Sequence, residues 1–279
     1  MKKFYLLLEK IRDILAVLLR GYDPSIVYRT TMYSLVYAAL VKNQCSCRLL
    51  KSLEGKMPVS LVAFARGKLY YLFLELLSQL DLLLNSKRAV IVEGEANLQV
   101  IIDWLKYEAG KVDYVMIYDC MSLVEFLVVS AYLRFKGIRT VFLSKVFLNP
   151  IGLTKFITQQ LYSTHYDRTL REVACLIANS LESVSYYKSS YLDKRVHECG
   201  HLGVEEFVEV VDISRIIEEV LAQAIRGDLL VGTDHGYDLV VVKSDDYVYI
   251  THGFKINNTY KAVSLIPLSR FAIFMKTYR

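Results

Sequence analysis

Residues 113–147 read DYVMIYDCMSLVEFLVVSAYLRFKGIRTVFLSKVF, and three textures follow one another inside that stretch. DYVMIYD (113–119) is a short apolar run. SLVEFLVVSAYLRFKG (122–137) spans several helical turns and closes on Gly137, and RTVFLSKVF (139–147) is short again, with Thr, Val and Phe. A strand, a helix and a strand in that order make a βαβ unit, whose strands run parallel while the helix crosses one face of the sheet.

The alternation extends both ways. AVIVEG (89–94) reads as a strand and ANLQVIIDWLKYEAG (96–110) as a helix. Downstream, 152–182 reads as helical with a break near Ser163-Thr164, VSYYKSSYL (184–192) and EFVEVV (206–211) as strands, and ISRIIEEVLAQAI (213–225) as a helix. DLLVGT, DLVVVKS, DYVYITHG and YKAVSLIPL follow as strands, joined tightly enough to include an antiparallel part. Before Arg88 the texture is different: 3–20, 25–42 and 58–85 are long, rich in Leu and Tyr and free of period-2 alternation, so they are expected to be helices broken at Gly21-Tyr22-Asp23-Pro24 and around Gly55-Lys56-Met57-Pro58. The expected organisation is a helical N-terminal unit over residues 1–86 and an α/β domain over 87–279, with a mostly parallel sheet covered by helices on both faces.

With 54% hydrophobic residues and four prolines in 279, the chain can bury a large core and lacks long disordered linkers. Glu75 and Asp81 interrupt LYYLFLELLSQLDLLL, so no run reaches the roughly 18 apolar residues of a membrane helix. MKKFYLLLEKIRD loses its hydrophobicity too early for a signal peptide, and a cytoplasmic, soluble protein is expected. Five cysteines without a CxxC pair read as free thiols. Residues 1–86 carry 12 Lys and Arg against 6 Asp and Glu, so the whole positive excess lies there. A solvated helix face or an acidic or nucleic-acid partner would explain it.

All five histidines, His165, His197, His201, His235 and His252, fall in one part of the chain. Asp193 and His197 are four apart, so one turn of helix presents both on the same side. Asp234-His235 ends a run of Leu and Val, where a carboxylate beside an imidazole is chemically costly unless it holds something. Nitrogen and carboxylate donors of this mix suit zinc, and two such ions about 3.5–4 Å apart form a clamp for phosphoryl transfer. In parallel sheets ligands gather beyond the carboxyl ends of the strands, where Asp119 and Asp234 are expected to lie.

IYDCMS, NPIGLTKF, YLDKRVHECGH, GTDHGYD and THGF follow one another in an order that resembles the alkaline phosphatase superfamily, and within it the PglZ-like branch, over about residues 88–279. The resemblance implies a three-layer α/β/α fold and two divalent ions, zinc with manganese as the alternative. One ion would be held by Asp193, His197 and His252, the other by Asp119, Asp234, His235 and the oxygen of Thr154, the nucleophile. Pro150 and Thr154 stand further apart than the pattern has them, which leaves Ser144 and Thr164 as alternative nucleophiles, and Cys120 replaces a small residue after the first Asp. Asn149 and Lys155 flank the nucleophile as candidate substrate-binding groups. The implied substrate is a phosphate ester, with a phosphodiester of nucleotides or nucleic acid preferred.

Other readings stay open. Asp119 could cap the helix that begins near Ser122, Asp193 and His197 could belong to a surface turn, and His252 could close a hairpin. AVIVEGEAN with a later strand ending in Asp119 also looks like a Toprim opening, with Glu93 as its magnesium ligand, although the second Asp of that pattern is missing. A third reading is a non-catalytic phosphatase-like scaffold of a defence or signalling system.

Overall fold

The computed structural model describes residues 2–45, 50–85, 90–91, 97–149, 152–158, 170–242, 247–253 and 263–279. The N-terminal part consists of helices α1 (Lys2–Leu18), α2 (Pro24–Lys42), α3 (Lys51–Gly55), α4 (Val59–Phe64) and α5 (Tyr70–Asn85), the last two joined through a π-helical stretch, Ala65–Leu69. Pro24 occupies the first turn of α2, where its missing N–H costs nothing, and the Asp23 carboxylate caps that turn by accepting from Ser25 N at 2.8 Å. The expected boundary near residue 86 falls outside the described residues.

After it come β1 (Val90–Ile91), α6 (Asn97–Glu108), β2 (Tyr114–Tyr118), α7 (Leu123–Phe135), β3 (Arg139–Phe142), β4 (Phe147–Leu148), α8 (Lys155–Thr158), α9 (Leu170–Ser180), β5 (Ser185–Ser189), α10 (Tyr191–Cys199), α11 (Val204–Val210) and α12 (Ile213–Ala224). The chain continues through β6 (Leu229–Thr233), β7 (Asp238–Val242), β8 (Tyr247–Thr251), β9 (Val263–Ile266), β10 (Phe271–Ala272) and β11 (Phe274–Tyr278). The central sheet has the order β3-β11-β6-β2-β5, and two small sheets, β1-β4-β10 and β8-β7-β9, flank it.

Side chains of the central strands alternate between two apolar clusters, as the two-residue period of a strand requires. Met116 and Tyr118 enter one cluster, which also holds residues of α1, α2, α5, α7 and α12; Val115 and Ile117 enter the other, with residues of α6 and α9. In the second cluster Trp104 meets Phe147 edge to face at 4.9 Å between centroids. Helices thus cover both faces of the sheet, and α1 and α2 share their apolar cluster with α7. Among the described residues no helix is long and apolar enough to cross a membrane.

Four expectations change. The sheet is mixed: β2 pairs in parallel with β5 and β6, whereas β11 runs antiparallel to both β6 and β3. β11 has no counterpart in the sequence reading, and together with β6 it separates β3 from β2. Residues 139–147 divide between β3 and β4, which belong to different sheets, and 184–192 divides between β5 and the start of α10. Residues 206–211 lie largely in α11 and form no strand: Val204, Phe207, Val208 and Val211 are all buried, and their three-to-four spacing makes an apolar stripe that only a helix can present.

A buried polar tie joins the N-terminal helices to the sheet. The hydroxyls of Tyr28 on α2 and Tyr237, just before β7, both donate to Glu125 Oε1 at 2.6 Å, while Glu125 Oε2 accepts from Ser122 N at 3.1 Å. Burial pushes the Glu125 carboxyl up to about 7, against the pull of these donors.

Candidate metal centre and active site

The register of the central sheet assembles the site. Tyr118 pairs with Thr233 on one side and Ser189 on the other, so Asp119 and Asp234 leave two adjacent parallel strands at the same level, in the crevice beyond their carboxyl ends. Asp119 N donates to Ser189 O at 2.8 Å, and the chain then turns through Cys120 at φ +65°, a left-handed conformation that costs a non-glycine residue about 1–2 kcal/mol. After Asp234-His235-Gly236, β7 and β8 form a ladder in which Asp238 opposes Thr251, which returns His252 to the start of β7. The His235 and His252 ring centroids are 5.0 Å apart. Asp193 and His197 lie on one side of α10, and α10 abuts β8 closely: a Cβ on Gly200 would stand 2.3 Å from Ile250 O. Thr154 immediately precedes α8. Its loop meets the His252 loop at Gly253 (φ +60°), where a Cβ would lie 2.5 Å from Leu153.

Two groups of donor atoms result. In the outer one, His252 Nε2 is 3.1 Å from Asp193 Oδ1 and 3.1 Å from His197 Nε2, and His197 Nε2 is 3.4 Å from Asp193 Oδ1. In the inner one, His235 Nε2 is 3.5 Å from Asp119 Oδ1 and 3.5 Å from Asp234 Oδ2, while Thr154 Oγ1 is 3.3 Å from His235 Nε2 and 3.4 Å from Asp119 Oδ1. Tetrahedral ligands at about 2.0 Å from a zinc ion are about 3.3 Å from one another. The two groups have that spacing.

Tautomer and burial agree with it. Gly236 O accepts from His235 Nδ1–H at 2.8 Å, which leaves the lone pair of the neutral ring on Nε2, facing the other donors. Asp234 is 2% exposed, yet neither of its carboxylate oxygens has a hydrogen-bond donor among the described residues. These orphaned acceptors cost about 1–3 kcal/mol each and call for a cation. Burial, then repulsion from Asp234 and Asp193, raises the Asp119 carboxyl above its usual range. Burial also works to raise Asp193, but the hydrogen bond and charge of His252, with His197 and His235, outweigh it and hold the carboxyl low. His252 is driven down by burial and up, with the larger net effect, by Asp193, Asp119 and Asp234.

All six expected ligands and Thr154 therefore converge. Asn149 does not face the cleft: it is 1% exposed and donates to Leu153 O at 2.8 Å and Asp234 O at 3.2 Å, bracing the Thr154 loop against the Asp-His-Gly segment. Lys155 begins α8, but its side chain, like Glu93, Thr164 and His165, lies outside the described residues. Two neighbours escaped the sequence reading. Cys120 offers its sulfur within 4.8 Å of the Asp193 and His252 donors, although burial holds its thiol pKa well above the ordinary value. Lys188 on β5 places its ammonium 3.5 Å from Asp119 Oδ2. The strand assignment for 184–192, set beside Asp119, was the signal that could have found it. No family model matches the chain, and no curated protein is significantly similar to it in sequence.

Proposed function

We propose that the protein is a metal-dependent phosphohydrolase, a phosphodiesterase for nucleotides or nucleic acid, with Thr154 as nucleophile and an alkaline-phosphatase-like, PglZ-like α/β/α frame. The reading rests on one observation above all: donors from five separate segments gather into two groups with separations close to those of metal ligands, and the inner group contains a buried Asp234 whose oxygens have no donor among the described residues. Asp193, His197 and His252 would hold one divalent ion, and Asp119, Asp234, His235 and Thr154 the other, with zinc or manganese suiting the donors. When bound, the ions supply Lewis-acid stabilisation of developing charge and lower the pKa of a coordinated hydroxyl.

The chain's own residues do the rest. A threonine hydroxyl is a weak nucleophile at neutral pH, and the fold places Thr154 Oγ1 within the inner donor group, 3.3 Å from His235 Nε2 and 3.4 Å from Asp119 Oδ1. Asn149 fixes its loop. Lys188 supplies a fixed positive charge beside Asp119, where a phosphate oxygen would gather charge in the transition state. Elemental analysis combined with turnover of bis-p-nitrophenyl phosphate tests the reading. The purified chain should carry zinc or manganese, and Thr154→Ala should keep the metal while losing turnover by at least about a thousandfold. Unchanged turnover in Thr154→Ala rejects this nucleophile, and a chain that takes up neither metal rejects the metal centre.

A further inference from the structure

Beside the metal centre lies a cleft of about 390 Å³, lined by Tyr187, Lys188, Tyr191, Lys194, Arg195 and Arg215 among others. It adjoins the centre through two residues: Lys188 is the one that reaches Asp119, and Lys194 follows Asp193 on α10. The lining carries four cations against one carboxylate, that of Glu198. Arg195 pairs with Glu198 at 2.8 Å and Arg215 with Glu219 at 3.0 Å, whereas Lys194 has no ion-pair partner among the described residues. The Arg195 and Arg215 guanidinium carbons lie over the Tyr191 ring at 5.3 and 4.8 Å, so the ring holds both arginines in place. The Tyr187 side chain at the rim is 42% exposed.

A basic groove with an exposed ring beside it is how proteins hold a single nucleic-acid strand: cations follow the phosphates, and a base stacks on the aromatic face. We infer that this cleft is a second phosphate subsite, which takes the phosphodiester next to the scissile one, so that the substrate is an oligonucleotide or single nucleic-acid strand and not a mononucleotide ester. The inference rests on the phosphodiesterase reading for the scissile position, but the cleft can be probed without it.

The metal-loaded full chain is assayed on the p-nitrophenyl ester of thymidine 5′-phosphate and on the same ester bearing a 3′-phosphate. The leaving group is identical, so the comparison isolates the added phosphate. Its presence should lower KM by about tenfold, the worth of one charge-assisted contact. Lys194→Ala combined with Arg215→Ala, both exposed positions, should erase that advantage. Equal KM values for the two esters in the native chain overturn the subsite and leave the hydrolase reading standing. If neither ester is hydrolysed, the hydrolase reading fails and binding alone decides. The anisotropy of fluorescein-labelled oligothymidylate, followed from about 50 to about 200 mM salt, should then show a log–log slope shallower by about 0.7 for each cation removed. A slope that does not change with the substitutions overturns the subsite.

Discussion

Replacing Asp234 with Asn should reverse the order of stability of the two proteins according to whether metal is present. The native carboxylate is 2% exposed, has no hydrogen-bond donor among the described residues, and finds its nearest imidazole nitrogen, His235 Nε2, at 3.5 Å. In chelator that is a cost of about 1–3 kcal/mol, which the neutral amide largely removes. For a chain of this size about 1 kcal/mol moves the midpoint by about 2–4 °C, so the variant should melt a few degrees above the native protein in excess EDTA. In zinc the native chain gains about 2.7 kcal/mol at a hundredfold excess of metal over its dissociation constant, and the variant, having lost an inner ligand, gains much less. Differential scanning fluorimetry of both proteins, with and without zinc, reads the two comparisons directly. Should the Asn protein melt lower in EDTA by as much as it does in zinc, Asp234 belongs to the protein's own polar framework and the ligand assignment fails.

Glu125 gives a pH signature. Its carboxyl titrates near 7 in the fold against an ordinary 4.5, so the folded state keeps a proton that the unfolded chain has released, and stability falls as pH rises from about 4.5 through 7. Urea titrations of the metal-free chain should show about 3 kcal/mol of that loss disappearing in Glu125→Gln, and parallel curves for the two proteins would contradict it. Gly253→Ala combines a left-handed backbone with a contact on Leu153, the residue before Thr154. It should cost about 1–2 kcal/mol of stability and lower turnover by about tenfold or more, and native turnover in this variant would separate the two loops functionally.

The candidate metal donors were legible because of where they sit in the sequence: Asp119 and Asp234 close apolar runs, and Asp193 and His197 carry a helical spacing. What stayed hidden depends on contacts made far along the chain. β11 carries Lys276 in its middle, yet that side chain is 7% exposed and gives its ammonium to Ala109 O at 2.8 Å and Lys111 O at 3.0 Å. No local pattern announces those two carbonyls. For α11, the β-branched residues of EFVEVV favour a strand by propensity, and burial of Phe207 and Val208 on one side overrode it. Lys188 enters the site through the pairing of β5 with β2, which the strand assignment for 184–192 hinted at but did not supply. Asn149 was placed correctly beside Thr154 but given the wrong task, since only the fold reveals that its amide is already spent.

The antiparallel strand between β3 and β6 also bears on biosynthesis. Residues 274–278 emerge from the ribosome after every other strand of the central sheet, so throughout translation β3 and β6 each wait with an open hydrogen-bonding edge. Such edges invite pairing with another nascent copy. Asp119 and Asp234, by contrast, are set at one level by the β2–β6 ladder itself, so the candidate metal donors on those two strands can align while the edges of β3 and β6 are still open.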